Sequence, residues 1–150
     1  MKFFLGLSFL VVFASCTTLD VYEKTNIIKN QSWLSNDTCI VNFNIVDTNS
    51  LYNFYFVCRH LHQYPYKNIY LQIQVNQPDT SFLLTREFQF ADNSKWLGTS
   101  FDDIIEHRLL FNNQASKLKK GNYTFKINQI MREDPLPYIL NAGIRIEKSK

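Results

Sequence analysis

The feature that most limits how this chain can fold is an alternation of apolar and polar side chains with a period of two. In residues 39–45, Val41 and Phe43 fall on one face of an extended strand, whereas Asn42 and Asn44 fall on the other. Alternation of this kind is typical of a strand that buries one face. The same pattern predicts further half-buried strands within 52–58, 69–75, 82–90, 123–129 and 140–146.

Six such strands, joined by short polar connections, predict an antiparallel all-β domain. An antiparallel β-sandwich of about seven to eight strands covers all of the one-sided faces at once. Hydrophobic residues make up 45% of the 150 residues and aromatic residues 15%, enough for a full core. Residues 101–111 fit either a helix capped by Ser100 or a further strand, and the all-β surroundings favour the strand.

The N-terminal segment has the organisation of a bacterial lipoprotein signal peptide. Lys2 precedes an apolar stretch over residues 3–13, and two small residues then lead into Cys16. The stretch is shorter than the roughly 20 apolar residues that span a bilayer. We therefore predict a signal peptide over 1–15, a lipidated Cys16 and short tether over 16–21, and a single β-sandwich domain over 22–150. The alternative is an ordinary secreted protein in which this cysteine carries no lipid.

Charge and motif content argue against several classes of function. The chain has 16 basic and 13 acidic residues, and removal of Lys2 with the signal peptide leaves a mature net charge of +2. A nucleic-acid-binding surface requires a dense basic stripe, so no nucleic-acid partner is predicted. The sequence contains no Gly-rich phosphate loop, no His-Glu-x-x-His, no Gly-x-Ser-x-Gly and no Cys-x-x-Cys. We predict a protein that is not an enzyme, with no metal, cofactor or small-molecule substrate.

Four polar positions have simpler structural interpretations. His60 and His62 could supply half of a metal site, but a solvent-facing pair at a strand end is the simpler interpretation. His107 lies on an apolar face and is interpreted as a hydrogen-bonded core histidine. Gln129 shares the apolar face of its strand, and a buried amide needs hydrogen-bond partners. We therefore expect Gln129 to tie down a sheet edge or a loop.

Two cysteines remain after Cys16 is assigned to lipid. If residues 47–50 form a four-residue hairpin loop, Cys39 lies directly opposite Cys58 on the neighbouring strand. Directly opposed residues in a non-hydrogen-bonded pair have Cα atoms about 4.5 Å apart, at the short end of the disulfide range. Because an exported protein enters an oxidising compartment, a Cys39–Cys58 disulfide is predicted. Two buried free thiols that pack as small hydrophobes are the alternative.

Several motifs occur in an order that resembles one protein family. They are Trp33, the run VCRH at 57–60, Tyr64-Pro65-Tyr66 with Asn68, Trp96-Leu97-Gly98, the block GNYTFKINQIMREDPL at 121–136, and GIRIEK at 143–148. Together they are similar to the GldH family, the gliding-motility lipoproteins of Bacteroidetes. The likeness covers nearly all of the mature chain. Tyr138 and Ser94 depart from it, since each occupies a turn position where glycine is expected.

This resemblance implies an envelope lipoprotein that is required for gliding and connected with the machinery that exports and moves surface adhesins. It implies no known catalytic activity, cofactor or ligand. Because no acidic cluster follows Cys16, a periplasm-facing position is favoured over surface display. The alternative function is a carbohydrate-binding or adhesive sandwich that stacks sugars on Tyr64, Tyr66 and Trp96. The candidate partner-contact residues are Tyr64, Pro65, Tyr66, Asn68, Trp96, Gln129, Met131 and Arg132.

Overall fold

The computed structural model describes residues 21–149, and it is built almost entirely of antiparallel strands. The predicted signal peptide, Cys16 and tether residues 17–20 lie outside these described residues. A 3-10 turn occupies Lys29–Gln31. The strands are β1 Val21–Ile27, β2 Ser32–Trp33, β3 Cys39–Ile45, β4 Leu51–Leu61, β5 Asn68–Asn76, β6 Ser81–Gln89, β7 Ala91–Asp92, β8 Lys95–Trp96, β9 Thr99–Phe101, β10 Ile104–Leu110, β11 Ser116–Lys117, β12 Gly121–Gln129, β13 Leu136–Pro137 and β14 Ile139–Lys148.

Two sheets form the body of the domain. The larger has the strand order β1-β14-β4-β10-β9, with β11 also paired to β4, and the smaller has the order β3-β12-β5-β6. Two short ribbons, β2 with β13 and β7 with β8, lie outside these sheets. Residues 104–110, which the sequence left open between helix and strand, are strand β10. No helix among residues 21–149 is long and apolar enough to cross a membrane.

The inner faces of the two sheets pack against each other through aromatic side chains. The ring centroid of Phe54 in β4 lies 5.7 Å from that of Phe125 in β12 and 6.5 Å from that of Phe43 in β3. Phe56 in the larger sheet meets Phe88 in the smaller at 5.0 Å. Such close, tilted ring pairs bury a large apolar area between layers. The predicted all-β sandwich is confirmed.

The predicted hairpin between residues 39–45 and 51–61 is wrong. The turn at 47–50 does form, and its Asp47 carboxylate accepts hydrogen bonds from the backbone N–H groups of Asn49 and Ser50. However, β3 pairs with β12 and β4 pairs with β14 and β10, so the turn crosses from one sheet to the other. β3 and β4 are therefore not hydrogen-bonded to each other, and the register predicted for them does not form.

The two cysteines are consequently not cross-strand neighbours. The structure contains Cys39 and Cys58 as free, buried thiols rather than as the predicted disulfide. Burial is the main cause that raises the pKa of Cys39 to about 12, and burial also raises the pKa of Cys58. Both groups stay protonated at neutral pH and pack as small apolar side chains, which is the alternative that the sequence left open.

A second local departure concerns the last strand. Alternation placed Leu140 on the buried face, but the register of β14 against β4 shifts between Ile139 and Asn141. Ile139 is buried instead, and Leu140 is only half-buried. The shift follows Tyr138, whose φ of 65° is the left-handed conformation that glycine adopts readily. The position where the family resemblance leads us to expect glycine is therefore one where the backbone favours it.

The sandwich has two distinct ends. Val21 begins β1 and pairs with Glu147, which in turn pairs with Asn53 near the start of β4. The 11 residues of β4 then run about 35 Å to the opposite end. We call the end at Val21 the anchor end, because the chain arrives there from Cys16. Val21, which the sequence assigned to the tether, is the first residue of a strand.

Candidate functional site

Three chain segments meet at the end of the sandwich opposite Val21, and we call them the distal rim. They are 62–67 after β4, 91–96 in the β7–β8 ribbon, and 129–135, which begins at the last residue of β12. The Tyr66 hydroxyl donates a 2.5 Å hydrogen bond to the Glu133 carboxylate, which joins the first segment to the third. The Tyr64 and Trp96 rings lie 6.5 Å apart and join the first to the second. The distal rim contains seven of the eight candidate contact residues, and Asn68 follows it directly.

An open pocket of about 250 Å³ lies between the first two segments of the distal rim. Pro65, Tyr66 and Trp96 line it beside the two turn residues Asn93 and Ser94. Asn93 has a φ of 51°, so the strained position in this turn is one residue before Ser94, where the resemblance led us to expect glycine. The structure thus brings the Tyr-Pro-Tyr and Trp-Leu-Gly motifs to a common surface.

Tyr64 differs from the other aromatic residues of this pocket, because it is 3% exposed. Its hydroxyl donates to the Asn68 carbonyl at 2.9 Å, and its ring packs edge-on to Tyr66 with 5.7 Å between centroids. The suggestion that three aromatic rings form a stacking platform is therefore wrong for Tyr64. Packing against His60 and Phe90 holds this ring in the interior, so only Tyr66 and Trp96 remain partly accessible.

Gln129 holds the third segment of the distal rim to the body of the domain. Its side chain is fully buried, and its amide nitrogen donates to the Trp33 carbonyl and to Asp134, both at 3.2 Å. Its amide oxygen accepts from the Met131 backbone N–H at 2.7 Å. Asp134 is held in turn by Ser35, and these hydrogen bonds keep the pKa of Asp134 below its usual value. The amide therefore ties down a loop, as expected for a buried glutamine.

The two residues that follow Gln129 in the motif have different surroundings. Met131 is half-buried, and its sulfur accepts a hydrogen bond from the Tyr70 backbone N–H at 3.3 Å. Arg132 is exposed, and its guanidinium makes no hydrogen bond or ion pair within residues 21–149. A fixed loop thus presents a cation that has no partner among the described residues. An arginine in that position can form bidentate bonds with a carboxylate on another molecule.

A pair of buried histidines lies beneath the Trp96 ring. The ring nitrogens His60 Nε2 and His107 Nε2 are 3.0 Å apart, and His60 Nδ1 lies 2.8 Å from the Leu61 carbonyl. Since a carbonyl only accepts, His60 carries its proton on Nδ1, and His107 donates from Nε2. His107 Nδ1 is then a buried acceptor with no partner in the described structure. Burial lowers the pKa of both groups, that of His107 to about 4.

The outcome for the histidines differs from the sequence interpretation in one respect. His107 is a hydrogen-bonded core residue as expected, and His62 is exposed, but His60 is buried rather than solvent-facing. No group of three or more potential metal ligands occurs among residues 21–149. The structure also explains the glycine of the Trp-Leu-Gly motif. A Cβ atom on Gly98 would lie 2.9 Å from His107 Nδ1, which is too close for any side chain at this position.

Sequence reasoning missed a charge network on the outer face of the larger sheet. Arg145 bonds Glu23 at 3.1 Å and Glu147 at 2.9 Å, and Arg108 bonds Glu23 at 3.2 Å. Glu106 joins the network through Arg59 and Arg108. These side chains come from β1, β4, β10 and β14, whose adjacency no local pattern reveals. The closing Gly-x-Arg-x-Glu motif therefore cross-links strands and does not belong to the distal rim.

An antiparallel sandwich with seven of its eight candidate contact residues at one end, after a predicted lipoprotein signal, has the features expected of an envelope lipoprotein domain. A sequence model described as GldH lipoprotein matches residues 20–146, and this chain belongs to that family. Membership makes it a lipid-anchored envelope protein related to gliding motility. The resemblance inferred from the motifs is confirmed.

Two relatives support this assignment along nearly their full lengths. The chain is 28% identical over 151 aligned residues to a protein of Christiangramia forsetii named gliding motility lipoprotein GldH homolog, covering 93% of this chain and 91% of the relative. It is 24% identical over 147 residues to gliding motility lipoprotein GldH of Flavobacterium johnsoniae, covering 92% and 91%. The similarity is therefore that of whole domains and not of one shared motif.

Proposed function

We propose that this protein is a non-catalytic adaptor, held to a membrane by lipid on Cys16 and docked through the distal rim to envelope motility or secretion proteins. The observation that carries the proposal is the separation of the two ends. The chain enters the domain at Val21, whereas the motif residues Tyr66 and Arg132 lie about 35 Å away along β4. An adaptor needs this arrangement, with attachment at one end and an accessible surface at the other.

The short tether supports the same proposal. The stretch from Cys16 to Val21 can reach at most roughly 18 Å, so the anchor end stays close to the membrane. The distal rim then points into the periplasm, where a partner can reach it. Within the rim, buried Gln129 and the Tyr66–Glu133 bond hold the loop that carries exposed Arg132. A pre-ordered loop loses little conformational entropy on docking, which favours specific binding.

Photo-crosslinking in living cells tests the adaptor proposal. A photoreactive residue at position 132 should crosslink defined motility or secretion subunits, and one at exposed position 24 on β1 should not. Affinity capture of the Arg132→Ala variant should lose those subunits, whereas Lys24→Ala should retain them at equal protein abundance. Retention of the subunits by Arg132→Ala, or crosslinking only to bulk lipoproteins from both positions, would contradict the proposal.

A carbohydrate-binding function is a second candidate, favoured by one observation. Tyr66 and Trp96 line a single open pocket, and aromatic rings of this kind stack on sugars. A glycan array probed with the wild-type chain, with Trp96→Ala and with Arg132→Ala separates the two candidates. Sugar binding that depends on Trp96 but not on Arg132 would favour this second function over the adaptor.

A further inference from the structure

The sandwich has two long sides, along which the edges of the two sheets face each other. The contacts between the sheet edges differ from one side to the other. On the side of β1 and β3, the Tyr22 hydroxyl donates to the Asn42 carbonyl at 2.8 Å and the Asn26 amide donates to the Ile40 carbonyl at 3.0 Å. These bonds join the edges of the two sheets. On the other side, the edge strand β6 faces the 111–118 connection across a cleft of about 260 Å³. We call it the edge cleft.

The edge cleft is mainly apolar. The rings of Phe54, Phe111 and Phe125 line its inner part, and Leu84 and Leu118 line its walls. Phe54 and Phe125 belong to opposite sheets, so the cleft reaches into the space between the layers. Most binding sites for small molecules are concave and apolar with a few placed polar groups, and they measure about 300–1,000 Å³. A cavity slightly below that range suits one unbranched apolar chain.

One cation stands at this cleft. In β6, residues 82, 84, 86 and 88 share the face that points towards the other sheet, and Phe88 on that face is buried. Arg86 occupies the same face, lines the edge cleft and is exposed. Its guanidinium has no ion pair or hydrogen bond within residues 21–149. An inward charge on an edge strand also discourages aggregation, but that role requires no apolar cavity beside it.

One wall of the cleft lies towards the anchor end of the domain. Ser116, which lines it, pairs with Tyr52 at the start of β4. Val21 pairs with Glu147, and Glu147 pairs with Asn53, the residue next to Tyr52 in β4. The Ser116 wall of the cleft therefore lies towards the membrane to which Cys16 is expected to attach. Arg86 lies in the half of β6 further from that end, because it pairs with Leu71, which pairs with Gln129.

We propose that the edge cleft binds one acyl chain with a terminal carboxylate, a ligand of the fatty-acid class. The chain enters the apolar space between the sheets, and its carboxylate pairs with Arg86. Each methylene that leaves water raises affinity by roughly fourfold, and a charge-assisted bond to arginine selects the acid over a neutral analogue. This site is separate from the distal rim, so it stands or falls independently of the adaptor proposal.

Photoaffinity labelling of the full-length, lipidated chain in zwitterionic phospholipid vesicles tests the assignment. The probe is palmitic acid with a diazirine near its methyl end, and labelled peptides are identified by mass spectrometry. Peptides that contain residues 82–86 or 111–118 should carry the label. Arg86→Gln should lower that labelling about tenfold, as expected for loss of a charge-assisted bond. Lys24→Gln removes one exposed cation from the other sheet and should leave labelling unchanged.

Two further arms make the test decisive. The matching diazirine alcohol has no carboxylate, so Arg86→Gln should not alter its weaker labelling of the cleft. Ser116→Trp adds a ring at the exposed border of the cleft and should reduce labelling by both probes, with thermal unfolding used to verify the fold. Equal labelling of wild type and Arg86→Gln by the acid would overturn the proposal. Labelling by diazirine phosphatidylglycerol but not by the fatty acid would overturn it as well.

Discussion

The distal rim and the edge cleft are built on opposite principles. At the distal rim, polar side chains meet backbone groups, and Gln129 alone links the Trp33 carbonyl, Asp134 and the Met131 N–H. At the edge cleft, phenylalanine and leucine side chains line an open space, and Arg86 lacks an intramolecular partner within the described structure. Hydrogen bonds have direction and so determine the shape of a loop, whereas apolar contacts are non-directional, so an apolar lining can accept a flexible ligand. This difference is what the two proposals require: an ordered surface for docking at the distal rim and a space for a ligand at the edge cleft.

Removing the central amide of the distal rim should produce the largest loss of stability. Gln129→Ala leaves the Met131 N–H and the buried Trp33 carbonyl without their amide partners, so we expect the free energy of unfolding to fall by about 2–4 kcal/mol. Urea denaturation measures this change. Gln72→Ala, on an exposed position of neighbouring β5, should cost less than about 0.5 kcal/mol. Similar losses in both variants would show that the rim does not depend on this amide.

Acid should also weaken the packing beneath the distal rim. The pKa of His107 is about 4 in the folded state and about 6.5 in the unfolded chain, so the unfolded state binds protons first. Stability that is present above pH 6.5 is therefore lost as the pH falls towards 4, by up to about 3 kcal/mol. Cys58 and Tyr64, which pack nearby, keep their protons across this range, since the ordinary pKa of each group lies above it and burial raises that pKa further.

Thermal unfolding between pH 7.5 and 4 measures the effect. His107→Phe removes the titrating group while keeping a ring that can stack on Phe90, whose centroid lies 4.2 Å from that of His107. The variant should lose much of the slope in this pH range. His62→Gln changes an exposed histidine and should retain the wild-type slope. An unchanged slope in His107→Phe would assign the acid sensitivity to other groups.

The edge cleft should respond weakly to truncation. Leu84 is half-buried beside an open space, so Leu84→Ala creates no closed cavity and should cost about 1 kcal/mol. Leu71→Ala removes a fully buried side chain from the adjacent strand and should cost about 3 kcal/mol. The ratio of these two losses, measured by urea denaturation, sharpens the contrast between the packed core and the cleft. Equal losses would indicate that the cleft is closed in solution.

Much of the fold was predictable because alternation is a local property. The strand at 39–45 buries Cys39, Val41, Phe43 and Ile45 as the period of two predicts. The strand at 123–129 likewise buries its predicted face, including the glutamine at its end. The lipoprotein family was also predictable, since its motifs are read directly from the chain. Lipidation of Cys16 stays a prediction, because the described structure begins at Val21.

The candidate site was predictable only in part. The motifs identified Tyr66, Trp96 and Arg132 as residues of one surface, and the structure does bring their segments together. Spacing could not reveal that Tyr64 is interior, that His60 meets His107, or that Arg86 faces a cleft. Each of these facts depends on contacts between residues far apart in the sequence, such as Tyr64 with Phe90 and His60 with His107, which the free energy of the whole fold selects.

The sequence by itself determined that the chain forms one-sided strands, carries a lipoprotein signal and belongs to the GldH lipoprotein family. Only the tertiary structure decided which sheet each strand joins. A period of two assigns a side chain to a face but contains no information about the partner strand, so β3 and β4 fit a hairpin and a crossover equally well. The crossover prevails in this fold, and it separates Cys39 and Cys58 into opposite sheets. The same long-range pairing places the distal rim and the anchor end at opposite ends of the molecule.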